Sequence, residues 1–497
     1  MNYSALFIQL LPEAVLVITA LVLLGVAVAF ESKKLQQFPA AAAIALATLG
    51  ILIAGGVLFL LPCAKDSGTP LIVSDPLARL FKGVVLGLGL LAVWLPPGRR
   101  EIPQIGEFYA LLLFSLTGLL LTIGTNHLLF LFVALELASL SLYLLAGFPS
   151  TAKASEASLK YFLFGGVSAA FMLFGLSFLY GFSHTAKLTD IAVALAAGPP
   201  TALAITGLLL VLVGLAFKMA AAPFHYWAPD VYQGAPATTV ALVSAASKAV
   251  GLVVIVRLLM IGFHSVAGSA GLGAMLPGWS MWLAVLAAVS MIFGNVLALA
   301  QSSVRRLLAY SAVANTGYLL VALAANGQSA AGSALFYVVV YGLATLGAVA
   351  VTAAVERDRS DDSLSSFAGL VHRSPLQAVA LLVFLSSLAG IPPLAGFFGK
   401  FAMFSNAMAA TGSGGQPGLA WLVGLGAIMS AISLYYYLSV LKQAFVRQGP
   451  DEKTSPCLSL CHALAVIVPA SLIVLLGLFP SLLLGPITQA LKLSLGL

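Results

Sequence analysis

Four residues of this 497-residue chain carry an ionisable group deep into otherwise apolar stretches: Glu136, Lys218, Lys248 and Lys400. Lys218 closes an apolar run and is followed by Pro223, a polar and aromatic segment, and a new apolar run that carries Lys248. Glu136 lies about ten residues into its own run, roughly 15 Å deep at a helical rise. Lys400 follows a second interruption, Pro392-Pro393. A charge at the centre of a lone membrane helix costs roughly 2.5–3.5 kcal/mol, and a broken helix leaves backbone groups without partners. The chemistry that suits such groups is proton transfer. One carboxylate against three lysines allows one ion pair and leaves two lysines unmatched, and a buried lysine that exists either charged or neutral is a proton carrier. The competing reading is structural, with buried ion pairs locking helices together.

Other ionisable groups are less telling. His225, two residues after Pro223, is either a loop histidine satisfied by backbone groups or a relay between Lys218 and Lys248. Lys160, four residues after Glu156, is either half of a surface pair or an accessory proton site. Arg257, nearer the outer end of its run, is expected to snorkel, and Glu13 has no assigned role.

Positioning these groups falls to helices. The chain is 61% hydrophobic and 8% charged, which excludes a soluble globular protein. About fourteen apolar runs are long enough to cross a bilayer: 5–30, 40–62, 74–95, 107–124, 126–147, 156–181, 201–222, 236–264, 279–300, 302–325, 331–356, 375–410, 418–445 and 463–490. Alternating-strand patterns are absent, so the expected class is an all-α polytopic membrane protein forming a single integral membrane domain over 1–497. The first run lacks a basic leader and a cleavage site and is expected to be retained.

The charge of +7 is scattered rather than clustered, which speaks against nucleic acid and for a loop bias. Loops after odd-numbered runs hold Lys33, Lys34, Arg99, Arg100, Lys153, Arg357, Arg359, Arg373, Arg447 and Lys453, with Arg305 and Arg306 just inside the tenth run. Loops after even-numbered runs hold Lys65 and Lys187, with Arg79 and Lys82 just inside the third run. The first set therefore faces the cytoplasm and both termini face outward. The stretch 412–418 reads as a flexible outer loop.

Runs seven and twelve are both broken by proline and both carry a lysine near the break. They lie five runs apart, and an odd offset makes a five-helix repeat inverted in the membrane, an architecture of transporters. Gly87-Leu-Gly89 lacks the strand–turn–helix setting of a dinucleotide site, and Gly396 to Lys400 lacks the spacing of a phosphate loop. Cys63, Cys457 and Cys461 form neither a CxxC pair nor a metal cluster. No cofactor motif and no metal site is expected in this chain.

The segments Glu136-Leu-Ala-Ser-Leu-Ser-Leu-Tyr143, Glu156-Ala-Ser-Leu-Lys-Tyr161, Lys218-Met-Ala-Ala-Ala-Pro-Phe-His-Tyr-Trp-Ala-Pro-Asp230 and Gly390-Ile-Pro-Pro-Leu-Ala-Gly-Phe-Phe-Gly-Lys400 resemble the antiporter-like membrane subunits of proton-translocating NADH:quinone oxidoreductase, respiratory complex I. The motifs cover about residues 105–445. Lysine at position 400, the length, and the wording around Glu156 and Tyr232 resemble the subunit N family rather than its siblings L and M. The resemblance implies two inverted five-helix bundles, runs four to eight and nine to thirteen, within 107–264 and 279–445. It implies that Glu136 pairs with Lys218, that Lys248 is the central connecting lysine and Lys400 the lysine of the outlet half. It also implies that FMN, iron–sulfur clusters and quinone sit in partner subunits, that subunits M, K, J and A are neighbours, and that the setting is a bacterial inner membrane. A cation/proton antiporter of the Mrp type, or a related photosynthetic or hydrogenase complex, would share the same motifs.

Overall fold

The computed structural model describes residues 3–32, 38–61, 71–95, 102, 104–198, 200–273, 275–359, 361–409, 418–449 and 459–495. Lys33, Lys34, Cys63, Lys65, Arg99, Arg100, Lys453, Cys457 and nearly all of the 412–418 loop lie outside the described residues. Among the described residues there is no strand, only isolated bridges such as His127 with Lys187. Thirteen described helices are long and apolar enough to cross a membrane, and the protein is a multi-pass membrane protein.

The helices follow the expected runs: α1 (Leu11–Ser32), α2 (Ala40–Leu60), α3 (Pro76–Val93), α4 (Ile105–Ile123), α5 (Leu128–Gly147), α6 (Ala152–Ser183), α7 (Ala202–Met219), α8 (Ala237–Gly262), α9 (Trp279–Leu299), α10 (Val304–Ala324), α11 (Gln328–Arg359), α13 (Ala420–Phe445) and α14 (Leu460–Leu478). The twelfth run is two shorter helices, α12a (Pro375–Ala389) and α12b (Ala395–Ala409), separated at Gly390 to Leu394.

Three features depart from the expected runs. The last run does not continue to 490: it stops at Leu478, and Pro480, which has no N–H to donate, lies in the gap before a separate helix, Ser481–Leu495. A short helix, Leu188–Ala196, occupies a connection read as loop, burying Leu188, Ile191 and Leu195 on one face. Within α8, the turns Leu242–Ser247 and Leu258–Gly262 are π-helical.

The contacts divide the chain into two compact units, Met1–Leu215 with Gly234–Ser265 and Ala490–Leu497, and Ala216–Gln233 with Val266–Gln489. In the first, α1 packs on α2 and α4, α4 on α5, and α5 on α6. Its most enclosed element is α8, buried from Ala237 to Leu259. In the second, α9 lies along α10, and α11 packs against α10, both parts of α12 and α14. A Cβ on Gly294 would stand 2.4 Å from the Ala314 nitrogen, so glycine is what lets α9 and α10 approach this closely. Outward faces are apolar: α6 exposes Leu159, Phe162, Leu163, Val167 and Phe174, as expected of helices solvated by hydrocarbon.

Candidate functional site

The second unit contains both helix breaks, and each break is repaired by side chains. The last turn of α7 carries Lys218, which is 7% exposed. Beyond Met219 the chain leaves the helix at Ala220 with φ +55°. Carbonyls at a helix end need donors, and in hydrocarbon water does not supply them. The Phe217 carbonyl takes the Trp227 indole N–H at 3.1 Å, and the Met219 carbonyl takes the Thr316 hydroxyl at 2.7 Å. The freed Ala222 N–H donates to Ser290 Oγ at 2.9 Å. Pro223 faces outward, and the Ala222–Pro223 bond is cis.

The segment after this break is clamped. The helix Trp227–Gly234 presents Asp230 to Arg306 Nη1 at 2.7 Å. The Tyr232 carbonyl accepts from Arg305 Nη1 at 3.2 Å. Arg305 also grips Glu356 with both arms of its guanidinium, the second at 2.6 Å, the fork geometry that suits a carboxylate. His225 is 2% exposed, stacks on Tyr226 with ring centroids 4.8 Å apart, and meets the Tyr310 ring at 6.2 Å. Its Nδ1 has no hydrogen-bond partner.

At the second break, α12a ends with Gly390 at φ +87°, whose N–H returns to the Ser386 and Ser387 carbonyls. This left-handed cap is a glycine position. The next two orphan carbonyls are those of Leu388 and Ala389, and Lys400 on α12b reaches back to both, at 2.7 and 3.4 Å. Its third contact is Ser430 Oγ at 3.2 Å, and its Nζ lies 4.7 Å from the Tyr318 ring centroid. Lys400 is 5% exposed and occupies the negative end of the α12a dipole. A Cβ at Gly396 would fall 1.9 Å from the Ser387 carbonyl oxygen, so only glycine lets the returning chain pass. Pro392 and Pro393 are exposed and joined by a cis bond.

Glu136 and Lys248 belong to the first unit. Glu136 sits half-buried on α5. Lys248 is 2% exposed and directly follows the π-helical turn of α8, a distortion often found where a helix carries function. Lys160 pairs with Glu156 at 2.7 Å, and both side chains are exposed, the geometry of an ordinary helix-surface pair.

Sequence reasoning missed two buried pairs in the first unit. Glu13 on α1 meets Lys82 on α3 at 2.6 Å, and both are buried. Arg257 does not snorkel: it is 2% exposed, bound to Asp75 at 2.6 Å and to Asn126 at 3.2 Å. Asp75 also caps α3 through the Ala78 N–H. The signal available was charge alone, since these partners stand 69 and 182 positions apart.

Comparison with known proteins agrees with this architecture. The family described as NADH:quinone oxidoreductase/Mrp antiporter transmembrane proteins matches residues 125–433. NADH-quinone oxidoreductase subunit N 2 of Acidobacterium capsulatum is 43% identical over 97% of this chain and 98% of its own. F(420)H(2) dehydrogenase subunit N of Methanosarcina mazei is 38% identical over 95% of each. A chain of respiratory complex I from Thermus thermophilus superposes with a TM-score of 0.77 at 33% identity, covering 96% of this chain and 99% of that one. The chain belongs to the NADH:quinone oxidoreductase/Mrp antiporter transmembrane family, with the subunit N proteins.

Proposed function

We propose that this chain is the proton-translocating subunit N of an NADH:quinone oxidoreductase, with Glu136, Lys218, Lys248 and Lys400 carrying the proton. The observation that supports this most is the burial of three lysines, at 7%, 2% and 5% exposure, in a chain alike over nearly its full length to subunit N proteins. Charged groups that deep in a membrane protein mark ion pathways by default.

In this reading Glu136 neutralises Lys218. When that partnership is broken, the proton leaves Lys218 toward Lys248, Lys400 accepts it, and it is released on the outer side. Waters admitted beside Pro223 and Pro392-Pro393 bridge the gaps too long for direct transfer. His225 and Lys160 act as accessory groups. The energy comes from redox chemistry in other subunits, and about 2.3 kcal/mol must be delivered for each charge moved against 100 mV.

The rest of the proposal extends the likeness to subunit N proteins and the loop-charge bias. FMN, iron–sulfur clusters and quinone lie in partner subunits, and subunits M, K, J and A adjoin this chain. The membrane is a bacterial inner membrane with both termini periplasmic, and 107–264 and 279–445 are inverted halves. A different electron donor is a second reading, favoured by the likeness to the F(420)H(2) dehydrogenase subunit.

The test is Lys218→Ala in the assembled complex, with proton uptake and quinone reduction measured together. The proposal expects pumping to fall while the subunit still assembles; full pumping would overturn it. Lys218→Arg, whose guanidinium stays charged, should also block release. Sodium movement into vesicles carrying the complex would instead favour a cation/proton antiporter.

A further inference from the structure

The groups around Lys400 are neutral. Its ammonium donates to the Leu388 and Ala389 carbonyls and to Ser430 Oγ, and it lies 4.7 Å from the centroid of the Tyr318 ring. Tyr318 is fully buried on α10. Its hydroxyl accepts from Asn295 Nδ2 at 3.2 Å. Asn295 spends its other N–H on the Met291 carbonyl at 2.7 Å, and its Oδ1 accepts from the Tyr436 hydroxyl at 3.1 Å. The edge of Phe404, with ring centroids 6.0 Å apart, closes one side of the Tyr318 ring.

A carboxamide is fixed, with donors on nitrogen and an acceptor on oxygen, and its nitrogen has no free lone pair to receive a proton. Asn295 therefore orients hydroxyls and does not pass protons between them. The same device recurs nearby: Asn315 accepts from the Tyr337 hydroxyl at 2.6 Å and donates to the Ser311 carbonyl at 2.8 Å. What Tyr318 offers Lys400 is its π face, held at a set height by the amide behind it. A ring quadrupole attracts a desolvated ammonium, and loses that attraction when the amine is neutral.

We infer that Tyr318 is a positioning residue for Lys400, its ring locked by Asn295 so that the protonated amine is held over the ring face. The inference rests on Lys400 carrying protons, as proposed above.

The experiment uses the assembled complex in proteoliposomes, with protons moved per quinone reduced as the readout. Lys400→Ala defines the share of pumping that depends on this lysine. Tyr318→Leu is expected to cut that share about five-fold to thirty-fold, the span of a desolvated cation over a ring. Tyr318→Phe, which keeps the face and removes the hydroxyl, is expected to restore it to within about two-fold of the parent. Parental pumping in Tyr318→Leu, or a loss in Tyr318→Phe as large as in Tyr318→Leu, overturns the inference while leaving the lysine pathway standing. Parental pumping in Lys400→Ala overturns the pathway itself, and the role of Tyr318 with it.

Discussion

Lys400 donates to the Leu388 carbonyl at 2.7 Å, so the lysine of one half-helix caps the C-terminal end of the other. The residue expected to carry a proton is thus also a structural member of the break beside it. Replacement by Met leaves the Leu388 and Ala389 carbonyls without their donor, at a cost of about 1–3 kcal/mol for a buried unsatisfied group. Lys400→Met should therefore lower the midpoint of heat-induced loss of the complex as well as its pumping. Lys400→Arg keeps a donor and a fixed charge, and should retain more of the stability and none of the release. Equal midpoints for Lys400→Met and the parent would show that the cap contributes nothing.

Glu13 and Lys82 form a pair outside the two broken helices. Removing one partner of a buried pair strands the other, with a cost of about 3–5 kcal/mol, whereas replacing both with apolar groups is often close to neutral. Glu13→Leu and Lys82→Met are each expected to reduce the amount of assembled protein sharply, and the double replacement to recover most of it. Additive losses in the double variant would mean that the pair has no coupling energy.

His127 caps α5 from just outside the membrane span, its Nδ1 accepting the Phe130 N–H at 3.4 Å. Partial burial, and then the charge of Lys187, hold its proton affinity below the ordinary value of 6.5. Folded protein then binds fewer protons here than unfolded protein as pH drops from 6.5. The cap's contribution is fully present above 6.5 and is lost as pH falls through the lowered folded value. Heat stability should decline across that window, and His127→Asn, which caps without titrating, should flatten the decline. An unchanged pH profile in His127→Asn would remove this histidine as its cause.

The broken helices were legible because proline removes a helix hydrogen bond and crowds the preceding turn, so Pro223 and Pro392 pointed to both breaks by residue type. The short helix Leu188–Ala196 was not: its apolar spacing sat in a connection read as loop. Nor were the repairs. Thr316, Ser290 and Trp227 reach the first break from distant or folded-back positions, and a hydroxyl or indole in an apolar run gives no sign of its target. Arg257 shows the same limit: depth suggested an arginine reaching for water, while its partner Asp75 depends on how α3 meets α8. Nothing in the residues Leu242 to Ser247 announces the π-helical turn before Lys248.

Whether the buried lysines carry protons or only lock helices is tested most directly at Lys248, which is 2% exposed on the most enclosed helix of its unit. The measurement is protons moved per quinone reduced by complex containing Lys248→Ala, reconstituted in sealed vesicles. A proton pathway predicts a ratio below that of the parent with the complex still assembled. A ratio equal to the parent's, at equal quinone turnover, would contradict it.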